Sequence, residues 1–372
     1  MKKDFEKIIT HIHPKDFLIP NDQPSKSYFP DFLENLLNSY STFYDEKLVQ
    51  FIDDKLIFEA GNNNVVIDKI NKLNKVIIET VKLYYKGKIL KASDLLFTEL
   101  DKLLFDDIKS ISSINKNTSF YRCRKDEGRH FKASDLFHIA FQERHIVSTN
   151  RYSVPGFPAL YLGDTTYVCW EEFNKFRIRD LWFTRLENQN NLEIFQIQRI
   201  EDFLLELESV NPDLKLTFLL RYLITFPLSL ACTIRVKHTN GSFKPEYIIS
   251  QMLSEYVSMK DEIDGIKFPS TKVNYSSLEK TKAYNYVFPV KNISDFGYCP
   301  RLTSLFFTTE PTSLELEELI YNPTRQRGNK HGFLDIIDDR TIELIKNEKT
   351  KYSTTSFGKI EKSLENKKTN SI

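Results

Sequence analysis

The chain has 372 residues with 52 Lys and Arg against 51 Asp and Glu, so no net field draws the whole molecule onto nucleic acid or an anionic membrane. A hydrophobic share of 41%, with 29 Phe and 18 Tyr, excludes a disordered chain and supplies enough apolar mass for packed cores. The length exceeds what one core usually serves, so two domains or one elaborated domain are expected, and any anion site must be local.

The first residues, MKKDFEKIITHIHPKDF, are charged throughout and lack an apolar core of the kind a secretory signal needs, so a cytoplasmic protein is expected. Pro30, Phe32, Leu33, Leu36, Leu37 and Tyr40 keep helical spacing. After a turn at Gly61 to Asn64, Val66, Ile70, Leu73, Ile77 and Val81 predict a helix over 65–85. A third follows over 92–104, with Ser93 and Asp94 as cap candidates. No catalytic constellation falls in residues 1–116, which read as a helical accessory domain for docking or regulation.

Residues 111–118, ISSINKNT, suit a linker. Short apolar runs then predict strands at Phe120–Cys123, Ala159–Leu162, Leu181–Leu186, Leu192–Ile197, Gly265–Ser270 and Tyr284–Val290. Alternation in LWFTRLE and LEIFQIQ around NQNN predicts a hairpin. Helices are expected from Asp164 through Glu172 and over 201–208, 214–235 and 246–259. The window Leu216–Ile234 nearly reaches membrane-spanning length, but Arg221 and Pro227 within it favour a buried core helix, and no membrane partner is expected. Residues 346–372, rich in Lys, Asn, Ser and Thr, predict a polar flexible tail. The fold class is therefore α+β, with a small mixed sheet in a domain over 117–345 preceded by an α-helical domain.

The four cysteines, Cys123, Cys169, Cys232 and Cys299, form no CxxC pair and read as buried thiols of a reducing compartment. The histidines show no HExxH or paired Cys/His set, so no metal is expected. Neither GxGxxG nor GxxxxGK[ST] occurs, so a nucleotide bound here would be a substrate and not a resident cofactor.

Chemistry concentrates between Phe120 and Phe173. Arg122 lies on an apolar strand, Arg151 precedes the Gly/Pro turn of NRYSVPGFP, Tyr161 sits in the strand ALYL, and Glu172 ends a helix. Arginine forks suit a pyrophosphate, and a carboxylate can stabilise the oxocarbenium-like charge that develops when a glycosidic bond to ribose breaks. Each residue alone also has an ordinary reading: salt bridges for the arginines, a core aromatic for Tyr161, a solvated helix glutamate for Glu172, and a turn hydroxyl for Ser270.

In order, FYRCR, FHIAFQERHIVSTNRYSVPGFPALYLG, TTYVCWEEF, EYIISQMLSEYV and GIKFPST resemble the RES domain, a family named for an arginine, a glutamate and a serine. The resemblance covers roughly residues 118–312. It implies a fold similar to ADP-ribosyltransferase toxins and an NAD-degrading activity, usually as the toxin of a toxin–antitoxin pair with an antitoxin as partner. Carried onto this chain, it marks Glu172, Tyr161 and Arg122 as catalytic, and Arg122, Arg151, Tyr161 and Ser270 as substrate-binding. NAD would lose nicotinamide to water or phosphate, with no cofactor. ADP-ribosyl transfer to a macromolecule and a non-catalytic nucleotide-binding or interaction module are the alternatives, and the oligomeric state stays open. Compact RES members lack counterparts of residues 1–116 and of much of 200–245.

Glu171 adjoins Glu172, and adjacent residues on a helix diverge by about 100°. Val168 and Cys169 are expected to face inward, which places Glu172 inward with them. Glu171 is then expected on a solvated flank, paired with Lys175 four residues on.

Overall fold

The computed structural model describes residues 8–12, 18–49, 63–103, 111–279, 283–319 and 340–372. In the first segment lie α1 (Phe29–Phe43), α2 (Asn63–Tyr85) and α3 (Ile89–Asp101), close to the expected helices. Gly61 and Asn62 of the expected turn lie outside the described residues. There follow β1 (Ile111–Ile114), β2 (Ser119–Lys125), β3 (Ala159–Gly163), α4 (Thr166–Glu172), β4 (Leu181–Asn188) and β5 (Leu192–Gln196). Next come α5 (Ile200–Glu208), α6 (Lys215–Cys232), α7 (Ile248–Met259), β6 (Gly265–Pro269), β7 (Leu278–Glu279) and β8 (Tyr284–Pro289). The chain ends with α8 (Pro300–Leu305), β9 (Phe306–Thr308), β10 (Thr312–Ser313), α9 (Leu314–Leu319), β11 (Thr341–Ile345), β12 (Glu348–Lys351) and α10 (Ser356–Glu365). The fold is α+β, as its mix of helices with parallel and antiparallel strand pairs requires.

The chain divides into two compact units, each built from more than one stretch of sequence. The first comprises residues 1–112, 148–154 and 193–271. Its centre is α6, buried on nearly every side from Leu216 to Cys232, so it needs apolar partners all round. It finds them in α1, α2, α5 and α7, which is why residues 193–271 join the N-terminal helices instead of the following domain. By length and composition α6 is, among the described residues, the helix able to cross a membrane, yet 72% of it is buried within the protein, as a core helix requires. Pro227 inside α6 has no N–H and so frees the carbonyl of Leu223 one turn earlier. The Tyr40 hydroxyl of α1 donates to that carbonyl at 2.5 Å, so the helix break and its repair come from two elements of the same core. In this unit β5 runs parallel to β6, with Phe195 opposite Ile266.

The second unit comprises residues 113–147, 155–192 and 272–372. Strands run antiparallel in the order β8-β3-β2-β4-β10, with β9 also paired to β4. The two strands expected to form a hairpin do form, but β4 pairs with β2 and β5 with β6. Their alternation set the strands; it carried no information about partners. The expected linker holds the short strand β1.

Residues 346–372 are not a flexible tail. In α10 the buried residues Phe357, Ile360, Glu361 and Leu364 recur at helical spacing on one face, while Lys359, Lys362 and Asn366 stay exposed. Gly358 makes the first turn of α10 possible, since a Cβ there would lie 2.5 Å from the Tyr352 carbonyl. Further on, Asn370 exchanges two backbone hydrogen bonds of 2.9 Å with Thr308. The polar composition misled because it belongs to the outer face of an amphipathic helix.

Candidate active site

Helix α4 leaves β3 through a pinned turn. Asp164 accepts from the Tyr286 hydroxyl (2.7 Å) and from the Tyr284 N–H (3.1 Å), both on β8. Thr165 caps the helix, its Oγ1 accepting from Val168 N at 3.2 Å, which meets one of the donors a helix start leaves over. Gly163 allows the close approach of helix to strand, because a Cβ there would lie 3.1 Å from Cys169 Sγ. Asn174 and Lys175, at φ 55° and 57°, end the helix in left-handed backbone.

Two apolar clusters grip α4. Cys169 packs with Tyr121, Cys123, Phe183 and Ile360, and Tyr167 and Val168 pack with Val273, Tyr352 and Phe357. This double burial corrects the expectation for Glu171. The residue is 2% exposed, and its carboxylate accepts from the Tyr167 hydroxyl at 2.6 Å. The expected ion pair with Lys175 forms at 3.5 Å, but from a buried carboxylate. A one-sided reading of the helix failed because α4 has two covered sides.

Glu172 is the more accessible of the two, its side chain 32% exposed. Its Oε1 accepts from Asn285 Nδ2 at 2.7 Å, and its Oε2 lies 3.6 Å from Lys272 Nζ, which also donates to the Glu172 main-chain carbonyl. In the β3–β8 ladder Gly163 faces Asn285 and Tyr161 faces Val287. Residues two apart on a strand share a face, so Tyr161 lies on the sheet face that Asn285 and Glu172 occupy.

Arg122 stands where the sheet opens. β3 pairs with β8 along all five of its residues, but with β2 only at Tyr121 opposite Gly163. In the gap, Arg122 Nη1 donates to the Tyr161 carbonyl at 2.8 Å, taking the place of a strand partner. Among the described residues nothing accepts from its buried Nε. Burial draws this guanidinium below its ordinary pKa, although an arginine keeps its proton. A buried donor without an acceptor is costly, by about 1–3 kcal/mol. Nearby His138 is held neutral: burial first, and then Arg122, lowers it to about 4. Its ring bridges the Ile139 carbonyl (2.8 Å) and the Cys299 N–H (2.9 Å), the bonding of a core histidine.

The other two expected residues belong to the first unit. Arg151 is 8% exposed and spends its fork on main chain, Nη1 on the Cys232 carbonyl (3.0 Å) and Nη2 on that of Ile234 (2.9 Å). Its Nη2 also donates to Thr271 Oγ1 at 3.3 Å, so it ties the end of α6 to the turn that holds the fully buried Ser270. Arg122, Tyr161 and Glu172 thus belong to one unit, and Arg151 and Ser270 to the other. Asn285 and Lys272 escaped the sequence reading. The signal for Asn285 was present, as a polar residue inside the apolar strand YNYVFPV.

No family model and no solved structure matches the chain. The chain is 31% identical over 313 residues to a Bacillus subtilis (strain 168) protein named "Putative toxin YopC", across 79% of this chain and 69% of the relative. The chain belongs to the YopC family. The aligned residues outnumber those of either compact unit, so the YopC similarity extends into both and includes helical residues that the RES resemblance leaves out.

Proposed function

We propose that this chain is a toxin that destroys NAD by cleaving the bond between nicotinamide and ribose. The toxin role rests on the YopC relative, whose name describes it as a toxin. The NAD chemistry rests on the RES resemblance together with one observation: the carboxylate of Glu172, oriented by Asn285, shares a sheet face with Tyr161, whose main-chain carbonyl accepts from Arg122.

In this reading the pyrophosphate of NAD takes the unmet N–H groups of Arg122 in bidentate fashion. Tyr161 lays its ring against the nicotinamide ribose. As the C1′–N bond breaks, nicotinamide departs with the bonding electrons, and the cationic sugar is stabilised by the carboxylate of Glu172. Asn285 and Lys272 keep that carboxylate in place. Water or phosphate then adds at C1′ and loses a proton, giving ADP-ribose or its 1-phosphate. A small acceptor is favoured over a macromolecule because Glu171, the second carboxylate that could activate a protein acceptor, is buried under Tyr167. NAD is consumed as a substrate, an antitoxin is the expected partner, and four buried free thiols suit a reducing cytoplasm.

The test is release of nicotinamide from NAD by the purified full-length protein, followed with and without phosphate. Release that Glu172→Gln abolishes supports the reading. Intact NAD after prolonged incubation with folded protein overturns it.

A further inference from the structure

The C-terminal helix α10 delivers one side chain to the start of α4. Glu361, 4% exposed, accepts at Oε1 from the Thr166 N–H (2.7 Å), the Thr166 hydroxyl (3.1 Å) and the Tyr352 hydroxyl (2.5 Å). The Thr166 hydroxyl also reaches the Phe357 carbonyl at 3.2 Å. Thr166 is the first residue of α4, and its N–H is one of the donors that a helix start cannot satisfy internally. At seven residues α4 is far too short to hold itself together, so its position depends on what its ends are tied to. Thr165 ties one amide, and Glu361, from nearly two hundred residues away in sequence, ties another. The helix ends at Glu172, so an anchor at Thr166 sets where that carboxylate stands.

We infer that Glu361 is a positioning residue for Glu172, and that the C-terminal segment from Tyr352 to Glu365 is a working part of the catalytic unit. The inference rests on the proposed role of Glu172, but its anchor can be tested without it. Glu361 touches no substrate. It acts through α4: its carboxylate replaces solvent at the helix start, while Tyr352 below and Ile360 and Leu364 on the same helix face hold it dry. Losing the anchor lets α4 shift against Gly163, and a displacement of an ångström or less at Glu172 is enough to slow a step that depends on placement.

The experiment compares Glu361→Ala, Glu361→Asp and Glu361→Gln in the full chain, by hydrogen exchange and by nicotinamide release. Glu361→Gln keeps an acceptor oxygen and is expected to retain exchange protection in residues 165–172, with kcat within about twofold of wild type. Glu361→Asp withdraws the acceptor by one methylene but keeps the charge. It should speed exchange in those residues by about tenfold and lower kcat by about tenfold with KM little changed, and Glu361→Ala should do the same or more. Wild-type exchange and wild-type kcat in Glu361→Asp would overturn the inference. So would a loss of protection spread evenly over the whole second unit. If the wild-type protein releases no nicotinamide, the NAD reading fails, whereas the exchange measurement still decides whether Glu361 anchors α4.

Discussion

Asn285 and Glu172 meet at 2.7 Å, the amide Nδ2 of a buried strand residue donating to the Oε1 of a helix-borne carboxylate. The contact joins β8 to the end of α4 and turns the carboxylate toward the face where Tyr161 lies. Replacing Asn285 with Ala leaves Glu172 its negative charge but not its direction. A hydrogen bond to a charged group contributes about 1.5–3 kcal/mol, so kcat for nicotinamide release should fall by about tenfold to a hundredfold. Turnover equal to wild type in a folded Asn285→Ala protein would remove Asn285 from the account.

Arg122 offers a second test, because its fork is used once on the Tyr161 carbonyl and its Nε finds no acceptor among the described residues. Lysine keeps the charge and loses the planar fork. Arg122→Lys is therefore expected to lower kcat/KM for NAD by about tenfold or more. Product formation over a range of NAD concentrations checks this, and an unchanged kcat/KM contradicts it.

Much of this was legible in the sequence, and the failures share a cause. Helical spacing located α1 and α2, and apolar runs located β2, β3, β6 and β8, because periodicity reports local structure. Pairing is not local, so the expected β4–β5 hairpin dissolved into two ladders with other strands. Burial is not local either. The helix phase placed Glu171 in solvent, but it lies under Tyr167 because a second apolar cluster covers that side of α4. Glu361 was hidden in a stretch whose Lys and Asn residues looked like a tail, and only the three-dimensional fold brings it to Thr166.

The break in α6 predicts a stability effect far from any chemistry. Tyr40→Phe preserves the ring but leaves the Leu223 carbonyl, already deprived of its helix partner by Pro227, without a donor. An unmet buried carbonyl costs about 1–3 kcal/mol, and urea denaturation should show a loss of that size. A melt that matches wild type would mean that water reaches the carbonyl.

Glu361 makes stability depend on pH. Burial raises its carboxyl to about 7, above the ordinary 4.5, and the bonds from Tyr352 and Thr166 and the charge of Arg340 only partly offset this. The folded state thus holds a proton that the unfolded chain gives up, so this contribution is complete below about 4.5 and is lost as pH rises through about 7. The loss amounts to about 3 kcal/mol for a shift of this size. Tyr352 and Tyr121, which face the same carboxylate, stay neutral across this range because burial raises both phenols. Glu361→Gln should flatten the fall in stability between pH 5 and 8, and an identical fall in both proteins would assign it to other groups.

Of two adjacent carboxylates, Glu172 and not Glu171 is proposed to work on the sugar. Glu172 is a third exposed and held by Asn285, while Glu171 is buried beneath Tyr167. The decisive measurement is nicotinamide release from NAD by the full-length protein and by its Glu172→Gln and Glu171→Gln variants, each shown to be folded. Release by the wild type is expected, with a fall in kcat of about 10² to 10³ in Glu172→Gln and a much smaller change in Glu171→Gln. No release by the wild type, or a rate that Glu172→Gln leaves untouched, would contradict it.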